Sequence, residues 1–132
     1  MKKYLITTLL IFAVCIAMAQ TKPDSTTVFD KVDVSAEFPG GVNALGMFLG
    51  RNVRYPSDSY EKNIQGKVLV SFIIERDGNL SDIKITKHVS KDIDAEAIRI
   101  IKSSPKWIPG KQGDIVVRQR YTVPINFTLA KN

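Results

Sequence analysis

Two runs of alternating residues, each tied to a turn or breaker signal, limit what this chain can fold into. From Lys67 to Arg76, Val68, Val70, Phe72 and Ile74 fall on one side and Lys67, Ser71 and Glu75 on the other. This is the period-two pattern of a half-buried strand. Asp77-Gly78 follows, a signal for a two-residue type I′ hairpin with positive φ at both positions. A second strand then turns Ile83 and Ile85 inward and Lys84 and Thr86 outward. The last run sets Val117, Tyr121, Val123, Ile125 and Phe127 on one side against Arg118, Arg120 and Asn126. Pro124 lies inside it. Proline has no N–H to give a ladder, which implies an edge strand or a bulge.

Three helices are predicted between and before these strands. Pro39-Gly40-Gly41 breaks the chain, and Val42, Leu45, Phe48 and Leu49 then recur at three- and four-residue intervals up to about Gly50. Tyr55-Pro56 starts a short second helix with Tyr60 and Ile64 on one face, stopped by Gly66. The third is expected from Asp92, as its cap, to Ser103, with Asp94 and Glu96 in the first turn and Lys102 in the last, as the helix dipole favours. Its buried stripe is Ile93, Ala97, Ile100 and Ile101, and Pro105 ends it. A loop from Trp107 to Asp114, with Trp107 as a core anchor, leads to the last strand.

The hairpin makes the first two strands antiparallel neighbours. The third helix carries the chain back, so the third strand runs parallel to the second and pairs with the free side of the first. The expected fold is α+β: a three-stranded antiparallel sheet of order 2-1-3, with helices packed on one face and the third strand at an edge.

The N-terminal end reads as an export signal over residues 1–19. Lys2 and Lys3 precede an apolar run from Tyr4 to Ile16, and Ala17-Met18-Ala19 offers a small-x-small cleavage site. The run is shorter than the roughly 20 residues of a spanning helix, and an uncleaved anchor is the alternative. Removing 19 of the 132 residues leaves 113, enough for one core. It also removes Cys15, the only cysteine, so neither a disulfide framework nor a thiolate zinc site is expected. The formal charge of +6 falls to +4 without Lys2 and Lys3. The remaining cations are dispersed among acids, which argues against nucleic acid as a partner. Residues 20–38 read as a flexible lead-in reaching about 65 Å at roughly 3.4 Å per residue, and residues 39–130 as the folded domain.

Chemistry finds little support. His88 is the only histidine, so neither a metal set nor a catalytic triad is suggested. No serine sits in a Gly-x-Ser-x-Gly elbow. Asp92, Asp94 and Glu96 are explained by helix capping, and Gly40-Gly41 and Gly110-Lys111 are too sparse to cradle a phosphate. No catalytic residue, metal or cofactor is expected.

Tyr55-Pro56, Ile64-Gln65-Gly66-Lys67-Val68, Asp77-Gly78, Asp94-Ala95-Glu96-Ala97, Trp107-Ile108-Pro109-Gly110-Lys111 and Val117 to Phe127 occur in that order. In this order the chain resembles the C-terminal domain family of TonB, over roughly Tyr55 to Phe127. The resemblance implies a periplasmic domain that binds the extended TonB box of outer-membrane receptors beside its final strand, in energy-dependent transport. Carried over to this sequence, the partner-binding residues are Val116, Val117, Arg118, Gln119, Arg120, Tyr121, Thr122 and Val123. Asn52, Val53, Arg54, Tyr55 and Pro56 join them from the segment around Tyr-Pro. Asn52 stands where some members of the family carry glutamine.

A strand edge suits such a role on physical grounds, because its unpaired N–H and C=O groups can take an added strand. Arg118 and Arg120 beside the edge are expected either to contact an acidic peptide or to keep the edge soluble. The partner is then a receptor peptide or another envelope protein, with membrane contact only if the N-terminal segment is retained. The alternative is an envelope structural or regulatory domain that uses the same edge for self-association as a homodimer.

Overall fold

The computed structural model describes residues 24–130; the expected signal segment lies outside them. In chain order the elements are β1 (Val28–Phe29), α1 (Val42–Asn52), α2 (Ser57–Glu61), β2 (Gly66–Ile74), β3 (Leu80–Lys87), α3 (Lys91–Lys102), β4 (Gly110–Gln112) and β5 (Ile115–Phe127). Among the described residues no helix is long and apolar enough to cross a membrane.

The three long strands take the expected order β3-β2-β5, antiparallel throughout. The pairing of β2 with β5 runs without a register shift from Gly66–Phe127 to Ile74–Gln119. The alternation in sequence gives the core directly: Val68, Val70, Phe72 and Ile74 of β2 are buried, as are Val117, Val123, Ile125 and Phe127 of β5. On α3 all four residues of the expected stripe are buried, and the helix packs across β2 and β3. Trp107 is buried against Phe38, Phe72 and Tyr121, with ring centroids 5.2–5.6 Å away.

Two short strands raise the count from the expected three to five. β1 pairs in parallel with β5, Val28 opposite Arg118 and Phe29 opposite Gln119. β4 pairs antiparallel with the start of β5, from Gly110–Val117 to Gln112–Ile115. Segments of two and three residues are too short to show a period, which is why both read as loop from sequence. The third strand is therefore an edge over only part of its length.

Local chemistry also departs from expectation. Gly78 has φ 87°, but Asp77 does not have positive φ, so the hairpin is not type I′. The Gly78 N–H bonds the Glu75 carbonyl and the Glu75 N–H the Asn79 carbonyl, a three-residue loop closed by a left-handed glycine. Asn63, at φ 54°, ends the turn after α2 before Gly66, which instead begins β2. Tyr60 stays exposed, and Pro56 precedes α2 as its cap. Ser90, not Asp92, caps α3, its hydroxyl accepting the Ile93 N–H. Asp92 sits in the first turn, where its carboxylate binds the Ser59 and Ser90 hydroxyls and ties α2 to α3. Val42 is 79% exposed, so the stripe of α1 that faces the core is Leu45, Phe48 and Leu49. Ala36 and Phe38, at the end of the expected lead-in, are buried in the core.

Candidate functional site

The flank of β5 that faces away from β2 is the candidate site. Its direction follows from Pro124, which lies opposite Leu69 in the β2 ladder. The ladder stays whole there only if the nitrogen of Pro124 points away from β2. Strand alternation then turns the main chain of Arg118, Arg120, Thr122 and Asn126 to the same outer side. On that side β1 covers Arg118 and Gln119. From the Arg120 carbonyl to Phe127 the flank has no backbone partner among the described residues, the Arg120 N–H being turned to the Phe29 carbonyl of β1. It presents the amides of Thr122 and Asn126 and the carbonyls of Arg120, Thr122, Pro124 and Asn126.

The expected stretch Val116–Val123 is thus divided. Val116 and Val117 pair with β4, Arg118 and Gln119 with β1, and only Arg120, Tyr121, Thr122 and Val123 border the open part. Tyr121 and Val123 point to the core, where Tyr121 packs against Trp107 and Phe72. Thr122 is exposed.

Neither arginine is free to meet a peptide. Arg118 donates from Nε to Glu75 Oε1 at 2.6 Å and from Nη2 to Oε2 at 3.0 Å, a two-pronged pair across the sheet. Its Nη1 donates to the Thr26 carbonyl at 2.8 Å. The Arg118 hydrogen bond holds the Glu75 carboxyl below its ordinary range against the opposing effect of burial. Arg120 donates to Asp82 Oδ2 at 2.8 Å and to Ser71 Oγ at 3.0 Å. Its hydrogen bond likewise pulls the Asp82 carboxyl down. The acids come from Glu75, just past the end of β2, and from a bulge in β3, where Asp82 sits at φ 47°.

The second expected segment meets the last residue of β5, Phe127, on the core face of the sheet. Asn52 closes α1, its carbonyl accepting from Arg99 Nη2 at 2.8 Å, and the Arg54 N–H donates to Glu96 Oε2 at 2.6 Å. Both contacts fix the segment to α3. Val53 packs against the core. The Tyr55 hydroxyl donates to the Ile64 carbonyl, and its ring stands edge-on to Phe127 at 5.7 Å. Pro56 and Arg54 line a cleft with Ala95 and Arg99 of α3. Residues 52–56 therefore adjoin β5 through Tyr55 at Phe127, far along the strand from Val116.

Gln119 stands among the expected partner-binding residues, and its burial is not part of that expectation. It is buried on the core face, where Oε1 accepts the Ala36 N–H at 2.7 Å and Nε2 donates to Ser35 Oγ at 3.1 Å. Its place among the inward odd-numbered residues of β5 was the available signal. Among the described residues no group of three His, Cys, Asp or Glu could hold a metal ion.

The family description "Gram-negative bacterial TonB protein C-terminal" matches residues 51–129. The chain belongs to the TonB C-terminal family. Two relatives named Protein TonB, from Helicobacter pylori strains 26695 and J99, are each 34% identical over 80 residues, 60% of this chain. The match spans 27% of the length of those relatives. The solution structure of the H. pylori TonB-CTD over its residues 179–285 superposes with a TM-score of 0.55 at 28% identity, covering 71% of this chain and 89% of that one. The shorter form, residues 194–285, gives 0.54 at 27% identity, covering 68% and 95%. Within this TonB-like fold, Arg54 to Phe127, the two ends of the candidate site, both fall inside the matched region.

Proposed function

We propose that the chain is a periplasmic, non-enzymatic peptide-binding domain of TonB type. It engages an extended receptor peptide of the outer membrane, of the TonB-box kind, in energy-dependent transport. The observation that carries this is the open flank of β5 from Arg120 to Phe127 in a member of this family. An added strand would bond the outward amides and carbonyls there, while Tyr55 and the 52–56 segment border its far end.

Each backbone bond gains a net of about 0.5–1.5 kcal/mol, and ordering each peptide residue costs about 1–2 kcal/mol. The near cancellation makes backbone pairing weak alone, so side-chain contacts must supply specificity. Amide shift mapping with a TonB-box peptide tests the assignment. Shifts should run along Arg120–Phe127 and into Asn52–Pro56, and Thr122→Pro should weaken binding by about tenfold or more by removing an outward donor. Shifts confined to the β3 edge would refute it.

A further inference from the structure

Building on strand addition at β5, we propose that β1 is a built-in competitor for the partner site: the chain's own Val28–Phe29 and an incoming peptide exclude each other over Arg118 and Gln119. β1 is itself an added strand. It lies on the flank that is open from Arg120 onward, in parallel register, and occupies the two positions next to the opening. Continued in that register, Asp30 would face Arg120 and Lys31 would face Tyr121. The chain leaves the sheet after Phe29 instead. A peptide filling the flank from the Phe127 end therefore meets Phe29 at Gln119, and must stop there or push β1 off.

The attachment of β1 is slight. It consists of two residue pairs and the bond from Arg118 Nη1 to the Thr26 carbonyl. Val28 and Phe29 are only half-buried, and Asp24–Thr27, Asp30 and Lys31 are exposed. The chain is fastened again independently just downstream. Val34 and Lys111 exchange backbone bonds at 2.8 and 3.0 Å, Glu37 and Ile108 do the same, and Ala36 is held by Gln119. Residues 24–31 can lift from β5 without disturbing the buried Ala36 and Phe38. This gives an element with two arrangements, seated and released, that a ligand can bias.

The chemistry of β1 also describes the ligand. Thr26-Thr27-Val28-Phe29 joins β-branched and aromatic residues, which suit an extended half-buried strand. The partner class is an extended peptide of similar make-up, long enough to reach past Arg120. If β1 is seated ten times as often as it is released, apparent affinity for a peptide that needs Arg118 and Gln119 falls about tenfold.

The test uses the full chain, labelled for amide spectra, with a TonB-box peptide as the probe. In the unmodified chain, adding peptide should speed hydrogen exchange at the Phe29 amide as β1 is released. In Phe29→Pro, which removes the β1 donor, and in Phe29→Gly as a gentler variant, the peptide should bind about tenfold tighter, with shifts extending onto Arg118 and Gln119. A synthetic peptide of residues 24–31 should bind these variants and be displaced by the TonB-box peptide. Equal affinity in all forms, with a footprint ending at Arg120 and unchanged or slower exchange at Phe29, overturns the competition and leaves strand addition standing. Absence of shifts along Arg120–Phe127 in every form removes both.

Discussion

The side-chain carbonyl of Gln119 accepts the main-chain N–H of Ala36 at 2.7 Å and so joins the start of the packed unit to its last strand. The bond is buried, and Gly110 lies so close that a Cβ there would come within 2.5 Å of the same oxygen. Gln119→Leu leaves the Ala36 amide without a partner in a dry site and should lower stability by about 1–3 kcal/mol. Urea unfolding measures this, and an unchanged midpoint would show that the bond is dispensable.

Gly78 and Gly113 both have positive φ, yet they should respond very differently to alanine. At Gly78, φ is 87° and a Cβ would stand 2.2 Å from the Trp107 carbonyl oxygen, on the loop whose Trp107 N–H bonds the Gly78 carbonyl. Gly78→Ala should cost about 3 kcal/mol or more, because backbone must move under the core tryptophan. At Gly113, φ is 60° with nothing within 4 Å of a Cβ, and alanine should cost only about 1–2 kcal/mol. Thermal unfolding of the two variants side by side checks the ranking.

The link between α2 and α3 should show in acid. Hydrogen bonds from the Ser59 and then the Ser90 hydroxyl pull the Asp92 carboxyl from its ordinary 3.8 to about 2. A carboxyl depressed in the folded state stabilises it above the unfolded pKa, and that contribution is lost as pH falls through the folded value. Stability should therefore decline between about pH 4 and pH 2, with Glu75 adding to the same limb through its Arg118 bond. Asp92→Asn should flatten this decline, as followed by chemical denaturation at several pH values. An unchanged slope would mean the carboxylate is not held as described.

Peptide charge should matter little. Arg118 is tied to Glu75 and Arg120 to Asp82, so neither arginine is available to an acidic side chain without breaking a pair. Replacing the acids of a TonB-box peptide by amides should change affinity by less than about threefold. Affinity should also vary weakly with salt. Calorimetry at two ionic strengths checks both, and a steep salt dependence would return the arginines to the peptide.

The legible parts of this fold are those with a period. The alternation of Val68–Ile74 and Val117–Phe127 and the helical spacing of Ile93, Ala97, Ile100 and Ile101 gave the core, the strand order and the place of α3. What escaped has no period to read. β1 and β4 are defined by what they lie against, and the pairing of Arg118 with Glu75 joins positions 43 residues apart. The same holds for the site. Pro124 marked the open flank correctly, but its extent depended on Val28 and Phe29, whose polar surroundings read as linker. Asp77-Gly78 reads as a turn, while its length and type show only in the backbone bonds of Glu75 with Gly78 and Asn79.

Pro124 gives the open border a missing rung. Two copies set edge to edge, or a growing stack of them, would each lose a bond at that point, and an unbroken ladder is what fibres require. A short foreign strand can still bond on either side of the gap. The molecule thus keeps an open border that is poor at templating itself.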